Sequence, residues 1–222
     1  MEYFNYHTWN DKWVVDVFNK KRDGFFIEVG ALNGVTSSCT YVLESELGWK
    51  GILVEPDPFV FQKLVENRPN SQCFDCCLYD ENKELDYVQF KFDPETTPIG
   101  GPGWGGISEN WSPSRKVRPE THKHNILKKK AITLEKLLKD NKAPKNIDYL
   151  ALDVERSEEK ILKGFPFHEF IFKAISIEAP TRALRILLRE KGYIEVGNPF
   201  CTVFHESYFI YKDYIEIKYK DL

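Results

Sequence analysis

The chain has 222 residues, 42% of them hydrophobic and 29% charged, which suits one folded domain and excludes a disordered polymer. Its 31 basic and 34 acidic side chains leave a formal charge of -3, so bulk attraction to nucleic acid has no support. No apolar run approaches the roughly 20 residues of a bilayer span, and the first residues lack the basic and apolar regions of a secretion signal.

An aromatic start (Tyr3, Phe4, Tyr6, Trp9, Trp13) reads as a helical segment within 1–23 that docks on a sheet or forms a homodimer contact. Residues 24–29 (GFFIEV) are a continuous apolar run too short for a helix, hence a buried strand. A turn over 30–34 leads to a helix over 36–47 that stops at Gly48. Residues 51–55 form a second buried strand, after which Pro56, Asp57 and Pro58 start a helix through Phe61, Leu64 and Val65. A short strand near 73–76 and an alternating edge strand over 84–92 follow.

Residues 93–130 break the alternation, with proline and glycine too frequent for regular structure. A loop of that length reads as an active-site flap, with Trp104 and Trp111 as apolar contacts, or as a surface insertion. Its basic run (Arg115, Lys116, Arg118, His122, Lys123, His124 and Lys128 to Lys130) would grip a phosphate or offset neighbouring acids as a solvated face. Beyond it come a helix over 134–141, a buried strand over 147–153 and a helix opening at Ser157 with acids in its first turn. A strand over 174–178, an amphipathic helix over 181–191 and strands over 193–196 and 208–211 complete the chain.

Strands alternating with helices predict an α/β domain over 1–222: a parallel sheet covered on both faces, with ligands bound beyond the carboxyl ends of its strands. Those ends carry Glu28, Glu55, Asp75 and Asp153, and a buried carboxylate is costly without a partner or ligand. Gly30 and Gly34 allow close backbone approach in the first turn, but the spacing is not the dinucleotide fingerprint. Glu55 can accept both hydrogen bonds of a ribose diol, so a nucleoside cofactor without a pyrophosphate fits best.

The segments FFIEVGALNG, GILVEPDPFVFQKL, AITLEKLLKD and NIDYLALDVERSEEKILKGF resemble the FkbM-type S-adenosylmethionine-dependent methyltransferases. The resemblance implies a Rossmann-like class I methyltransferase with a mostly parallel seven-stranded sheet, an antiparallel last strand, and O-methylation of a sugar or glycan hydroxyl. It implies that Glu28 lies near the methionine amino group, that Gly30, Ala31 and Asn33 wrap the methionine portion, and that Thr36, Ser37 and Ser38 hold its carboxylate. Glu55, followed by Pro56, would bind the ribose; Asp75 and Cys76 would border the adenine; Asp153 would face the sulfonium and the acceptor. The chain departs from the family pattern at Arg156–Ser157, where small residues are usual.

The sulfonium activates the methyl group, so such a protein mainly aligns an acceptor oxygen and removes its proton. Asp153, Glu155, Glu178 and His205 are the candidate bases, and Asp153 with Glu178 could hold magnesium or manganese. Cys73, Cys76 and Cys77 have the spacing of a redox or zinc half-site, but no second pair completes a tetrahedral set. Five cysteines, an odd number among apolar neighbours, instead suit reduced thiols in the cytoplasm. The alternative reading is a catalytically silent module that binds a nucleoside or a partner on the same fold.

Overall fold

A computed structural model describes residues 1–90, 105–110, 124–201 and 205–214. Helix α1 (Asn10–Val17) precedes strand β1 (Phe25–Val29), helix α2 (Tyr41–Leu47), strand β2 (Lys50–Val54) and helix α3 (Pro58–Asn67). Strands β3 (Gln72–Phe74), β4 (Cys77–Leu78), β5 (Lys83–Phe90), β6 (Gly105–Ile107) and β7 (His124–Ile132) follow, with a short 3-10 turn at Ser108–Asn110. The remainder comprises α4 (Leu134–Asp140), β8 (Asn146–Leu152), α5 (Glu158–Lys163), β9 (Ile171–Glu178), α6 (Arg182–Glu190), β10 (Tyr193–Val196) and β11 (Glu206–Tyr211).

Seven strands form the main sheet in the order β3-β2-β1-β8-β9-β11-β10. Its pairs are parallel except those of β11, which runs antiparallel to both β9 and β10. This is a Rossmann-like sheet with the expected reversed last strand.

Side chains alternate between two cores, as strand geometry requires. Ile27, Val29, Ile52, Val54, Leu150 and Ile175 pack against α4, α5 and α6 on one face. Phe26, Leu53, Tyr149 and Ala174 pack against α1 and α2 on the other. The aromatic start docks there: Trp13 is fully buried, 4.8 Å from the Tyr208 ring. The same alternation puts Glu28 with Phe26, on the α2–α3 side.

Four expectations change. The helix expected from residue 36 begins only at Tyr41, because Ser37 is left-handed and residues 36–40 are committed to turns. The strand expected over 73–76 is two strands in different sheets, parted at Asp75–Cys76. The expected edge strand, β5, is paired on both sides in a second sheet of order β4-β7-β5-β6. Most of that sheet's pairing partners come from the stretch read as irregular: β6 and β7 both lie largely within 93–130.

On β7 two of the described basic residues meet acids. Lys128 meets Asp86 at 2.7 Å, and Lys129 meets Asp75 at 2.5 Å. Trp104, Trp111 and the basic residues from Arg115 to Lys123 lie outside the described residues.

Candidate active site

A cavity of about 220 Å³ opens beyond the carboxyl ends of β1, β2 and β8, and the second sheet walls its far side. Gly30, Glu55, Pro56 and Asp153 line it from the main sheet; Cys76, Tyr87 and Gly105 line it from the β4–β6 side.

Gly30 makes the closest backbone approach. Its φ is +84°, and a Cβ there would lie 1.9 Å from the Asp153 carbonyl oxygen. The Gly30 N–H donates to the Val54 carbonyl at 2.9 Å, and the Asp153 N–H donates to Val29 at 3.1 Å, so three strand tips are drawn together. Only a residue without a side chain fits that position.

Glu55 stands at the tip of β2. It accepts from the backbone N–H of Leu32 and of Asp57, each at 2.8 Å, and is 2% exposed. Burial pushes its carboxyl up to about 8, against the pull of those two N–H donors and with the charges of Asp57 and Asp75 adding to the rise. Asp57 in turn caps α3, accepting from Phe59 at 2.7 Å.

Asp153, at the tip of β8, is hydrogen-bonded to Glu178 at the tip of β9. Burial first, then the Glu178 charge, pushes the Asp153 carboxyl well above the usual range. Its surface nevertheless opens to the cavity, so it is deep yet solvent-accessible. Solvent in the recess tempers the rise without reversing it, because the neighbouring carboxylate repels a second charge in either case.

Glu178 is register-paired with Glu206 on β11, whose carboxyl burial pushes to about 8. Asn10 donates to Glu206 at 2.8 Å. Glu206 faces a second, more polar recess of about 360 Å³ that Arg185, Asn198 and Ser207 also line.

A family model, the methyltransferase FkbM domain, matches residues 28–195. The chain belongs to the FkbM methyltransferase family. No curated protein matches it by sequence. Among solved structures, a TehB-like SAM-dependent methyltransferase from Corynebacterium glutamicum is 10% identical, with a TM-score of 0.43 over 91% of this chain and 88% of that one. A precorrin-6y C5,15-methyltransferase from Geobacter metallireducens is also 10% identical, at 0.45 over 90% and 84%. TrmK of M. capricolum, in complex with S-adenosyl-homocysteine, is 9% identical, at 0.43 over 89% of this chain and 65% of its own.

The structure brings Gly30, Glu55, Pro56, Cys76 and Asp153 of this FkbM chain to one cavity. Others it places elsewhere. Glu28 is already enclosed: Ser38 Oγ and Thr40 Oγ1 donate to it, Cys39 N–H donates at 2.6 Å, and Arg68 lies 3.6 Å away. Ser38 is spent in that cage, and Ala31 is packed in the α1–α2 core. Asn33 caps its own turn, accepting from the N–H of Val35 and Thr36 while its amide donates to the Thr36 hydroxyl. Thr36 and Ser37 are exposed, and no helix starts at them. Asp75 is exposed and pairs with Lys129.

His205 is exposed, its ring 5.3 Å from that of His7. The cysteines are free thiols, and burial pushes Cys76 and Cys77 up to about 11 and about 12, which makes them packing groups rather than nucleophiles. Among the described residues no group of three or more His, Cys, Asp or Glu is arranged to hold a metal ion. Asp153 and Glu178, the expected magnesium or manganese ligands, are a pair rather than such a group.

Sequence reasoning missed Leu32, Tyr87, Gly105, Ile107 and the fully buried Arg68. A cue existed for one of them: Tyr87 alternates in step with buried Leu85. Arg156 has a φ of +79° and Glu155 one of +55°, so the turn after β8 holds two residues in the left-handed region.

Proposed function

We propose that this chain is an S-adenosylmethionine-dependent O-methyltransferase acting on a hydroxyl of a sugar or glycan. The observation that carries the cofactor half is Glu55: a cavity-lining carboxylate fixed by two backbone donors at the tip of the second strand, in position to accept from a ribose diol. The cavity is mostly apolar elsewhere (Val29, Val54, Leu78 and Ile107), which suits an adenine ring. No helix among the described residues is long and apolar enough to cross a membrane, and five free thiols fit a reducing, cytoplasmic setting.

The acceptor half rests on the Asp153–Glu178 pair and on the polar recess beside it. In-line transfer needs an acceptor oxygen held against the methyl group and relieved of its proton as the new C–O bond forms. S-adenosylmethionine supplies the activated methyl when bound. Asp153 borders the cavity, and Glu178 is paired in register with Glu206, which faces the recess whose wall also carries Asn198, Ser207 and Arg185. Asp153, which a nearby positive charge would favour in its ionised form, would with Glu178 take the hydroxyl proton.

Titration calorimetry tests the cofactor reading: S-adenosylhomocysteine binds and NAD does not. Glu55→Ala should weaken binding by about 1.5–3 kcal/mol for each charge-assisted hydrogen bond lost; unchanged affinity rejects Glu55 as the ribose ligand. Asp153→Asn should lower turnover on a sugar panel more than cofactor affinity. Cofactor binding with no methylation of any sugar supports a silent binding module instead.

A further inference from the structure

Among the described residues five tyrosines are buried: Tyr79, Tyr87, Tyr149, Tyr193 and Tyr208. Four have hydroxyls satisfied by the protein. Tyr79 bonds to Glu109 and Tyr149 to Ser176; the Tyr193 oxygen accepts from the Phe172 N–H; Tyr208 donates to Asn10. Tyr87 is the exception. It is 3% exposed and lines the cavity, and no described residue is hydrogen-bonded to its hydroxyl. With no partner among the described residues, this cavity-wall phenol can donate to a bound ligand.

The fold secures that hydroxyl. Tyr87 pairs with Ile107 in the β5–β6 ladder, and its ring lies across Gly105, the diagonal neighbour. A Cβ at Gly105 would stand 2.4 Å from the Tyr87 oxygen and 2.5 Å from the Val88 carbonyl, so any side chain there displaces the phenol. Beyond β6, Glu109 is tied to Tyr79 and Lys160, and Asn110 donates to the Ser157 hydroxyl at 2.6 Å, fastening this strand to the start of α5. The Tyr87 hydroxyl is raised far above its ordinary range by burial, then by Glu55, so it stays a donor at any pH the protein experiences.

Resting on the cofactor reading above, we infer that Tyr87 is a specificity residue of the nucleoside site, donating a hydrogen bond to an acceptor on the adenosine portion. Glu55 of the main sheet accepts from the ribose diol; Tyr87 of the second sheet supplies the complementary donor. A ligand lacking a nucleoside cannot use both walls.

Tyr87→Phe removes the hydroxyl alone. Calorimetry with S-adenosylhomocysteine and with 5′-methylthioadenosine, which keeps the nucleoside and lacks the amino acid, should show both ligands weakened by about three- to tenfold. The melting temperature of the ligand-free variant should equal or exceed that of the natural chain, because no protein partner is lost. Equal affinities for both chains overturn the assignment, as does a loss confined to S-adenosylhomocysteine, which places the hydroxyl at the methionine end. A fall in melting temperature matching the loss of affinity makes the hydroxyl structural and also overturns it. If the natural chain binds neither ligand, the cofactor reading fails, and this assignment with it.

Discussion

The Arg68 guanidinium donates to the Gly34 carbonyl at 3.1 Å, and its stem fills the space a Gly34 side chain would need, 2.6 Å from a Cβ built there. Gly34 therefore makes room for an arginine rather than for a ligand. Arg68 is fully buried, donates to Glu44 at 2.8 Å and to Thr40 Oγ1 at 2.9 Å, and is the nearest cation to Glu28. One side chain from the end of α3 thus fixes the whole turn between β1 and α2.

Removing that cation should leave two buried carboxylates uncompensated. Arg68→Met is expected to cost about 3–5 kcal/mol of stability, read from urea unfolding. Glu28→Gln should also lower stability while leaving S-adenosylhomocysteine affinity within about twofold of the natural chain, since the Glu28 oxygens are occupied by Ser38, Cys39 and Thr40. A tenfold or greater loss of affinity in a folded Glu28→Gln protein would restore Glu28 to the methionine end of the cofactor.

How much of this is legible in the sequence depends on how local the cause is. The main-sheet strands follow from short apolar runs, and Glu55 from its place between an apolar run and Pro56-Asp57-Pro58. Glu28 looks equivalent at that level. Its difference lies in facing Arg68, forty residues away in sequence, and in a turn whose hydroxyls close around it. Tyr87 becomes a wall of the cavity only through the register of β5 on β6, a pairing between segments that local pattern cannot relate. The breaker-rich composition of 93–130 hid β6 because Gly105 is required by the Tyr87 ring lying over it, not by a turn.

Two glycine substitutions separate contact from conformation. Gly30→Ala sets a Cβ against the Asp153 carbonyl at a left-handed φ, and both offending atoms belong to backbone. It should destabilise by well over about 1 kcal/mol and abolish nucleoside binding. Gly164 has a φ of -98° and nothing within 4 Å of where a methyl group would stand, so Gly164→Ala should stabilise by about 0.4–1 kcal/mol. Paired thermal melts decide it; a harmless Gly30→Ala contradicts the convergence of strand tips described above.

Arg156 occupies a left-handed conformation that costs an L-residue roughly 1–2 kcal/mol relative to the right-handed one. Glycine escapes that strain but loses more chain entropy on folding, so Arg156→Gly should gain about 0.5–1 kcal/mol net. The urea midpoint should rise with an unchanged slope. A destabilised variant would mean that the Arg156 side chain makes a contact worth more than the strain.

Glu55 and Glu206 are held at about 8 and Glu158 at about 7, each chiefly by burial. Between the ordinary value of 4.5 and those raised values the folded chain keeps protons that the unfolded chain has released. Their stabilisation is therefore complete below about pH 4.5 and is lost as pH rises through about 7 to 8, so the ligand-free melting temperature should fall between about pH 5 and pH 9. A ribose diol donates to the ionised form of Glu55, so S-adenosylhomocysteine affinity should move the other way. It should rise with pH by at most about tenfold per unit and level off above about 8. Glu55→Gln should flatten the affinity profile and keep the part of the stability slope due to Glu206 and Glu158. An affinity slope that survives in Glu55→Gln assigns the titration to another carboxyl, and a flat profile in the natural chain removes Glu55 from the nucleoside site.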